Sequence, residues 1–305
     1  MPITFDPMTK PAFFRDETVQ AKFDRNGYVV IDFISAEAAG VIARKFYELH
    51  QQIPGGFYSA AFNPDDNFRK EIFDHTEKIF QRALEENFQH IKKLGATFLC
   101  KAKGEAGKVN VHQDWMVVDE KKFSSATVWV PVLDTNEENG TLRVLPGSHL
   151  FFDEFRSNNI PVCYDQHKEL IWENMITVPV KAGQAFVLNH AVIHGSSANQ
   201  TNQERLVIAY GVTSENAPLL FYYQNADAKN NRVEKFEMPD DFFLQYHNAP
   251  HRPLFGRMTE EFNYPVNSIS RKKMELLIKK SKSISQTQNK SFLRRIFNLS
   301  LHTTV

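Results

Sequence analysis

Apolar residues recur along this chain at two spacings, and the change from one to the other divides it. The stretch "ETVQAKFDRNG", from Glu17, has helical spacing and stops at Asn26-Gly27. "YVVIDF" follows as a short apolar strand. Ser35, with an acid at Glu37, then opens a helix through "SAEAAGVIARKFYELHQQI", which "PGG" at Pro54–Gly56 breaks. Phe68, Ile72, Phe73, Ile79, Phe80, Leu84, Phe88 and Ile91 recur at roughly three-to-four spacing and predict a second long helical region near Asn67–Leu94. Beyond it the period shortens. "TFLCKAKG", "VNVHQDWMVV", "ATVWVPVLDT", "GTLRVLPGSH", "MITVPVKAG", "QAFVLNHAVIHG" and "RLVIAYGV" have strand composition, and Asn-Gly, Pro-Gly and Ala-Gly turns separate several of them. Short strands in this rhythm predict a sandwich or barrel. Leu150–Asn174 interrupts them and is longer than a hairpin loop, the length expected of a lid or binding loop. After Val212 the chain is aromatic and irregular, then helical from about Ser270.

Composition narrows the class. A chain of 305 residues with 42% hydrophobic residues can bury one large core or two small ones. Two cysteines, Cys100 and Cys163, suggest no disulfide framework. "MPITFDPMTK" lacks the basic and apolar regions of a signal peptide, and no apolar run approaches the roughly 18 residues of a membrane span. A soluble, cytoplasmic protein is the expectation, and no nucleic-acid partner is expected.

Net charge is zero but uneven. From Ser268 to Val305 the chain carries nine Lys/Arg against Glu275 alone, a net +8 balanced by −8 elsewhere. A solvated tail is the plain reading. Helical spacing of Met274, Leu277 and Ile278, and of Phe292, Ile296 and Leu299, would also suit an anionic membrane surface or an acidic partner, or docking on the barrel's own outer face. The expected organisation is a domain over 1–267, with its β-core at about 95–215, and a basic helical tail over 268–305.

The candidate chemistry begins at "NVHQDW". In a strand, His112 and Asp114 share a face and could take adjacent positions on a metal ion. With eleven histidines, one His-x-acid triplet is expected by chance, so the pair alone says little. A third ligand from His190 or His194 would complete the two-histidine, one-carboxylate set of non-haem Fe(II) oxygenases. Arg205 stands inside the apolar run "RLVIAYGV", where a guanidinium is costly unless an anion meets it.

Taken in order, "FDRNGYVVIDFISAEAAGVI", "HQD", "ATVWVPVLD", "ENGTLRVLPGSH", "HGSSAN" and Arg205 resemble the phytanoyl-CoA dioxygenase family over roughly residues 18 to 215. The resemblance implies a mainly β fold with flanking helices around a double-stranded β-helix, a cupin-like jelly roll. It implies an enzyme using Fe(II), 2-oxoglutarate and O2 to hydroxylate a carbon of a small-molecule or lipid-like substrate, releasing succinate and CO2. By it, His112, Asp114 and His194 hold the iron, His194 being favoured over His190 because it directly precedes the Gly-Ser turn. Arg205 and Ser196 meet the remote carboxylate of 2-oxoglutarate, Trp129 walls its pocket, and Lys101 or Lys103 contributes from the preceding strand. Halogenating relatives lack the carboxylate that Asp114 supplies here. Two other classes stay open on the residues alone. One is a jelly-roll module that binds a metal or small acid without turnover; the other is a hydrolytic zinc enzyme, in which Arg205 has no obvious role.

Overall fold

Local signals set the N-terminal elements. The computed structural model describes residues 10–53, 55–104, 107–225, 231–246, 251–265 and 267–284. Helix α1 (Glu17–Asn26) starts where the Asp16 carboxylate accepts from the N–H groups of Thr18 and Val19, and ends where Gly27 takes a left-handed φ of 77°. Strand β1 (Tyr28–Asp32) leads to α2 (Ala36–Leu49), capped by Ser35, whose hydroxyl accepts from Ala38 N–H. A short strand, β2 (Phe57–Ser59), precedes α3 (Asp66–Asn87), capped by Asp65.

The helical spacing toward Leu94 overruns the observed helix, which stops at Asn87. The Phe88 ring is held by Phe13 and Phe14, at centroid distances of 5.4 and 4.8 Å. His90 then adopts a φ of 52°, and Ile91 opens β3 (Ile91–Lys101). Burial against the N-terminal phenylalanines decides the direction of the chain there, and the three-to-four spacing of Phe88 and Ile91 is incidental.

The β-core follows as β4 (Val109–His112), β5 (Ser125–Pro131), β6 (Leu142–Val144), β7 (Ile176–Thr177), β8 (Gln184–Asn189), β9 (His194–Ser196) and β10 (Arg205–Ser214), with helix α4 (Lys168–Asn174) before β7. The large sheet runs β1-β8-β5-β10-β3-β2, and a smaller one runs β4-β9-β6-β7. All the paired strands are antiparallel. From β3 to β10, consecutive strands alternate between the sheets, apart from the β6–β7 pair. The result is the predicted double-stranded β-helix, a jelly roll. A third sheet, β11 (Leu219–Asn225), β12 (Arg232–Met238) and β13 (Arg257–Asn263), lies beyond it with a one-turn helix α5 (Phe242–Gln245).

Alternation on the large sheet separates two interiors. Leu206, Ile208 and Tyr210 of β10, with Val128 and Val130 of β5, pack outward against Phe46, Phe80 and other helical residues. Arg205, Val207 and Ala209 take the opposite face, with Thr127 and Trp129 of β5. That face looks into the roll, where Trp129 and Val207 meet Leu142 and Val144 of the small sheet.

Residues 271–284 form a final helix, α6. Its Met274 and Ile278 are buried with Val111, Leu145, Ile171 and Ile193. The apolar side of "SRKKMELLIKK" is therefore spent on the protein's own core. "KSFLRRIFNLSL" lies outside the described residues. Among those described, no helix is long and apolar enough to cross a membrane.

Candidate active site

The small sheet brings two of the singled-out histidines face to face. His112, the last residue of β4, is the register partner of His194, the first of β9, and their ring centroids are 4.1 Å apart. The predicted strand through Val118 does not continue. After His112 the Asp114 N–H leaves the ladder and bonds to His190 O at 2.9 Å, while Gln113 Nε2 donates to Ala191 O at 2.5 Å. The turn aims the Asp114 carboxylate between the rings: its Oδ1 is 3.8 Å from Nε2 of His112 and 3.8 Å from Nε2 of His194. One ligand atom from each of the three lies within 4.8 Å of the others.

Both imidazoles are oriented the same way. His112 Nδ1 faces Asn110 O at 2.8 Å, and His194 Nδ1 faces Val192 O at 3.0 Å. A carbonyl only accepts, so each Nδ1 carries the proton and each Nε2 keeps its lone pair. Burial, then the neighbouring His194, lowers His112 to about 4. Its side chain is 39% exposed and lines the adjoining cavity. Burial alone would raise the Asp114 carboxyl, yet His194, His190 and His112 outweigh it and hold it below its ordinary value. Two imidazole Nε2 atoms and one carboxylate, converging on one point, form a donor set suited to a divalent transition metal.

The histidines give a pH prediction. Burial also lowers His149 to about 4 from 6.5. Because the folded values lie below the unfolded ones, the folded chain binds fewer protons between about pH 6.5 and 4. Stability is intact above about 6.5 and is lost as pH falls toward 4. Melting temperatures of metal-free protein across this range should decline steeply; a flat profile would contradict these environments.

Above the triad a cavity of about 760 Å3 opens, lined by His112, Asp114, His194, Ser196, Arg205 and Trp129 among others. Arg205 is 4% exposed, its Nε and Nη1 have no hydrogen-bond partner, and its guanidinium lies 5.3 Å from the Trp129 ring centre. Burial lowers it to about 10. Lys101, its register partner on β3, is fully buried, donates to Ser197 O and is lowered to about 6 by burial and then by Arg205. Lys103 is exposed. A buried guanidinium with idle donors fits a carboxylate, onto which it forks with two parallel hydrogen bonds, and an arriving carboxylate would also favour the protonated form of Lys101. Ser196, 2% exposed on β9, lines the same cavity.

Three features had no local signal. His190 is buried, lines the cavity and receives the Asp114 N–H through its carbonyl. Arg156, in the long insertion, donates from Nε to Asp114 O at 3.0 Å and pairs with Glu120 at 2.5 Å, while its own carbonyl accepts from Met116 N–H at 3.0 Å. Asn110 and Val192 set the ring tautomers from two residues away. The predicted lid does line the cavity, through Asn158, Ile160, Tyr164 and Lys168 among others.

Arg156→Met should destabilise the fold by about 3–5 kcal/mol, because Glu120 is left charged and largely buried without its partner. Adding Glu120→Leu should recover much of that loss in a denaturant titration. Metal affinity should stay depressed by about 10–100-fold, as for lost outer-shell support, because Asp114 O still lacks its donor. Full recovery of both would make Arg156 purely a packing residue.

The alternating sheets and the His-Asp-His cluster define a jelly roll with a candidate metal centre. Residues 23–207 match the family described as phytanoyl-CoA dioxygenase (PhyH), and the chain belongs to that family. It is 25% identical over 151 residues to the "phytanoyl-CoA dioxygenase domain-containing protein 1 homolog" of Dictyostelium discoideum, covering 46% of this chain and 53% of that protein. It is 22% identical over 175 residues to the "phytanoyl-CoA dioxygenase" of Arabidopsis thaliana, covering 56% and 59%. The chain thus spans between half and three-fifths of the length of these curated relatives. Among solved structures, the "non-heme alpha ketoglutarate dependent carbocyclase SnoK from nogalamycin biosynthesis" shares the fold with a TM-score of 0.51 and 19% identity, over 67% of this chain and 85% of that one.

Proposed function

We propose that the chain is an Fe(II)- and 2-oxoglutarate-dependent oxygenase that hydroxylates a carbon of a small-molecule substrate. The observation that carries this reading is Arg205: a buried guanidinium with two idle nitrogens, in the cavity that holds the His112-Asp114-His194 cluster. A hydrolytic zinc site leaves that cation without a purpose, whereas a dicarboxylate co-substrate in the same cavity would give it a partner.

Iron held by His112, Asp114 and His194 supplies the O2 chemistry, with 2-oxoglutarate oxidised to succinate and CO2 as the substrate is hydroxylated. The chain's own residues do the rest. Val192 and Asn110 carbonyls keep both Nε2 lone pairs available. Arg205 binds the remote carboxylate of 2-oxoglutarate, Lys101 beside it is a second amine that the bound anion would favour in its protonated form, Ser196 offers a hydroxyl and Trp129 walls the pocket. The low-dielectric surroundings strengthen each of these contacts.

Anaerobic addition of Fe(II) and 2-oxoglutarate should produce a visible metal-to-ligand absorption band, and O2 should then yield succinate. A band without O2-dependent succinate would instead identify a binding module without turnover. Product analysis then separates hydroxylation from other oxidative outcomes.

A further inference from the structure

The cavity's outer half has a chemistry of its own, and what it says about substrate rests on the oxygenase reading above. At about 760 Å3 the space lies high in the roughly 300–1,000 Å3 range of small-molecule sites, enough for a second ligand beside 2-oxoglutarate. Away from the triad it is walled by Trp115, Phe57, Phe62, Phe243, Leu244 and Tyr246. These come from three separate places in the chain: the loop after β4, the segment around β2, and α5. Phe57 is 39% exposed and Phe62 54% exposed, so two phenylalanines face water on the lip of a cavity. Large apolar side chains grouped and exposed in this way mark a surface that something apolar covers.

The cations of the cavity complete the picture. Among the described residues that line it, lysine and arginine are represented by Arg69, Lys168 and Arg205. Arg69 is committed to Asp66, to Leu244 O and to Asn63 O. Lys168, 40% exposed, stands 2.5 Å from the Asp165 carboxylate, which lines the same cavity and offsets its charge. Arg205 lies at the closed end, claimed by the co-substrate. Among the described lining residues the cations outside the closed end are thus each beside a carboxylate, and no cluster of guanidinium or ammonium groups with surplus charge, of the kind that binds phosphates, stands on the lip.

We propose that the substrate is an uncharged, largely apolar molecule taken in free form, its body covered by Trp115, Phe57, Phe62 and α5, and not a phosphate-bearing thioester of the kind named in the family's title activity. The lip thereby selects against charged carriers: a phosphate group placed there loses water and finds no partner.

Matched probes test this. Farnesol and 1-dodecanol, against dodecanoyl-CoA, are titrated anaerobically into the full chain with Fe(II) and 2-oxoglutarate, following the absorption band and, separately, tryptophan fluorescence. Both alcohols should bind at least tenfold more tightly than the thioester. Phe57→Ser with Phe62→Ser should weaken both alcohols at least tenfold and leave half-saturation by 2-oxoglutarate unchanged. Phe62→Lys, at a position exposed enough to spare the fold, should narrow the gap between alcohol and thioester. Equal or tighter binding of dodecanoyl-CoA to the unaltered chain, no binding of either alcohol, or indifference of alcohol binding to the lip variants overturns the proposal, while the absorption band together with O2-dependent succinate keeps the oxygenase reading intact. Absence of the band overturns that reading and, with it, the assignment of these ligands as substrates; the fluorescence titration then reports only whether the lip selects uncharged molecules.

Discussion

Replacing Asp114 by alanine should weaken Fe(II) binding by roughly a hundredfold or more, beyond the 10–100-fold typical of losing a supporting residue, and abolish succinate release. The carboxylate is the anionic member of the cluster, set 3.8 Å from each imidazole Nε2. Without it, two neutral nitrogens remain, and the divalent ion loses its strongest electrostatic partner. The fold itself should survive, since beyond the two imidazoles the carboxylate is held by a long hydrogen bond from Thr127 Oγ1 at 3.4 Å. The checks are a metal titration and O2-dependent succinate formation, with circular dichroism as the control for folding. Near-normal succinate release at saturating Fe(II) from a folded variant would remove Asp114 from the metal centre.

How much of this was legible beforehand differs residue by residue. The jelly roll could be anticipated because its strands are short, apolar and punctuated by turn residues. Even so, the strand drawn through His112 and Asp114 ends at His112. The same-face argument reached a correct neighbourhood by a route the chain does not take. Asp114 points at the histidines because its N–H is captured by His190 O, a contact across 76 positions of sequence that no local pattern encodes. Arg205 was legible for a different reason: a cation in a buried apolar run is anomalous wherever it stands, and the anomaly survives without knowing what packs around it. Lys101 and Lys103 differ by two positions and share a strand pattern, so composition could not separate them; pairing with Arg205 on β10 buries one, and the end of β3 exposes the other.

Glu120 and Arg156 were invisible for a third reason. Each is an ordinary surface residue by type, and their pairing depends on how the long insertion folds back over the loop after β4. The basic tail illustrates the limit of amphipathic patterns. A stripe of Met274, Leu277 and Ile278 beside lysines suits a membrane surface and a protein surface equally well; Val111 of β4 and Ile193 just before β9 decide for the latter over 271–284.

Arg205→Met should move stability and function in opposite directions. In the metal-free, ligand-free chain the guanidinium is desolvated with two nitrogens unpartnered, so its burial is a net cost. Methionine keeps the side-chain volume and the packing on Trp129 while removing the charge, and also relieves Lys101 of a cationic neighbour. The variant should therefore gain about 1–4 kcal/mol in denaturant titration, the range seen when buried ionic groups give way to apolar ones. Its 2-oxoglutarate requirement should rise about 10–150-fold, the equivalent of the roughly 1.5–3 kcal/mol carried by a charged hydrogen bond. The unaltered chain should be stabilised by saturating 2-oxoglutarate with a redox-inert divalent metal, by about 2.7 kcal/mol at a hundred times the dissociation constant, and the variant should lose that response at the same concentration. A variant that is destabilised without ligand, yet keeps its normal 2-oxoglutarate dependence, would make Arg205 a structural cation and would leave the carboxylate pocket without its anchor.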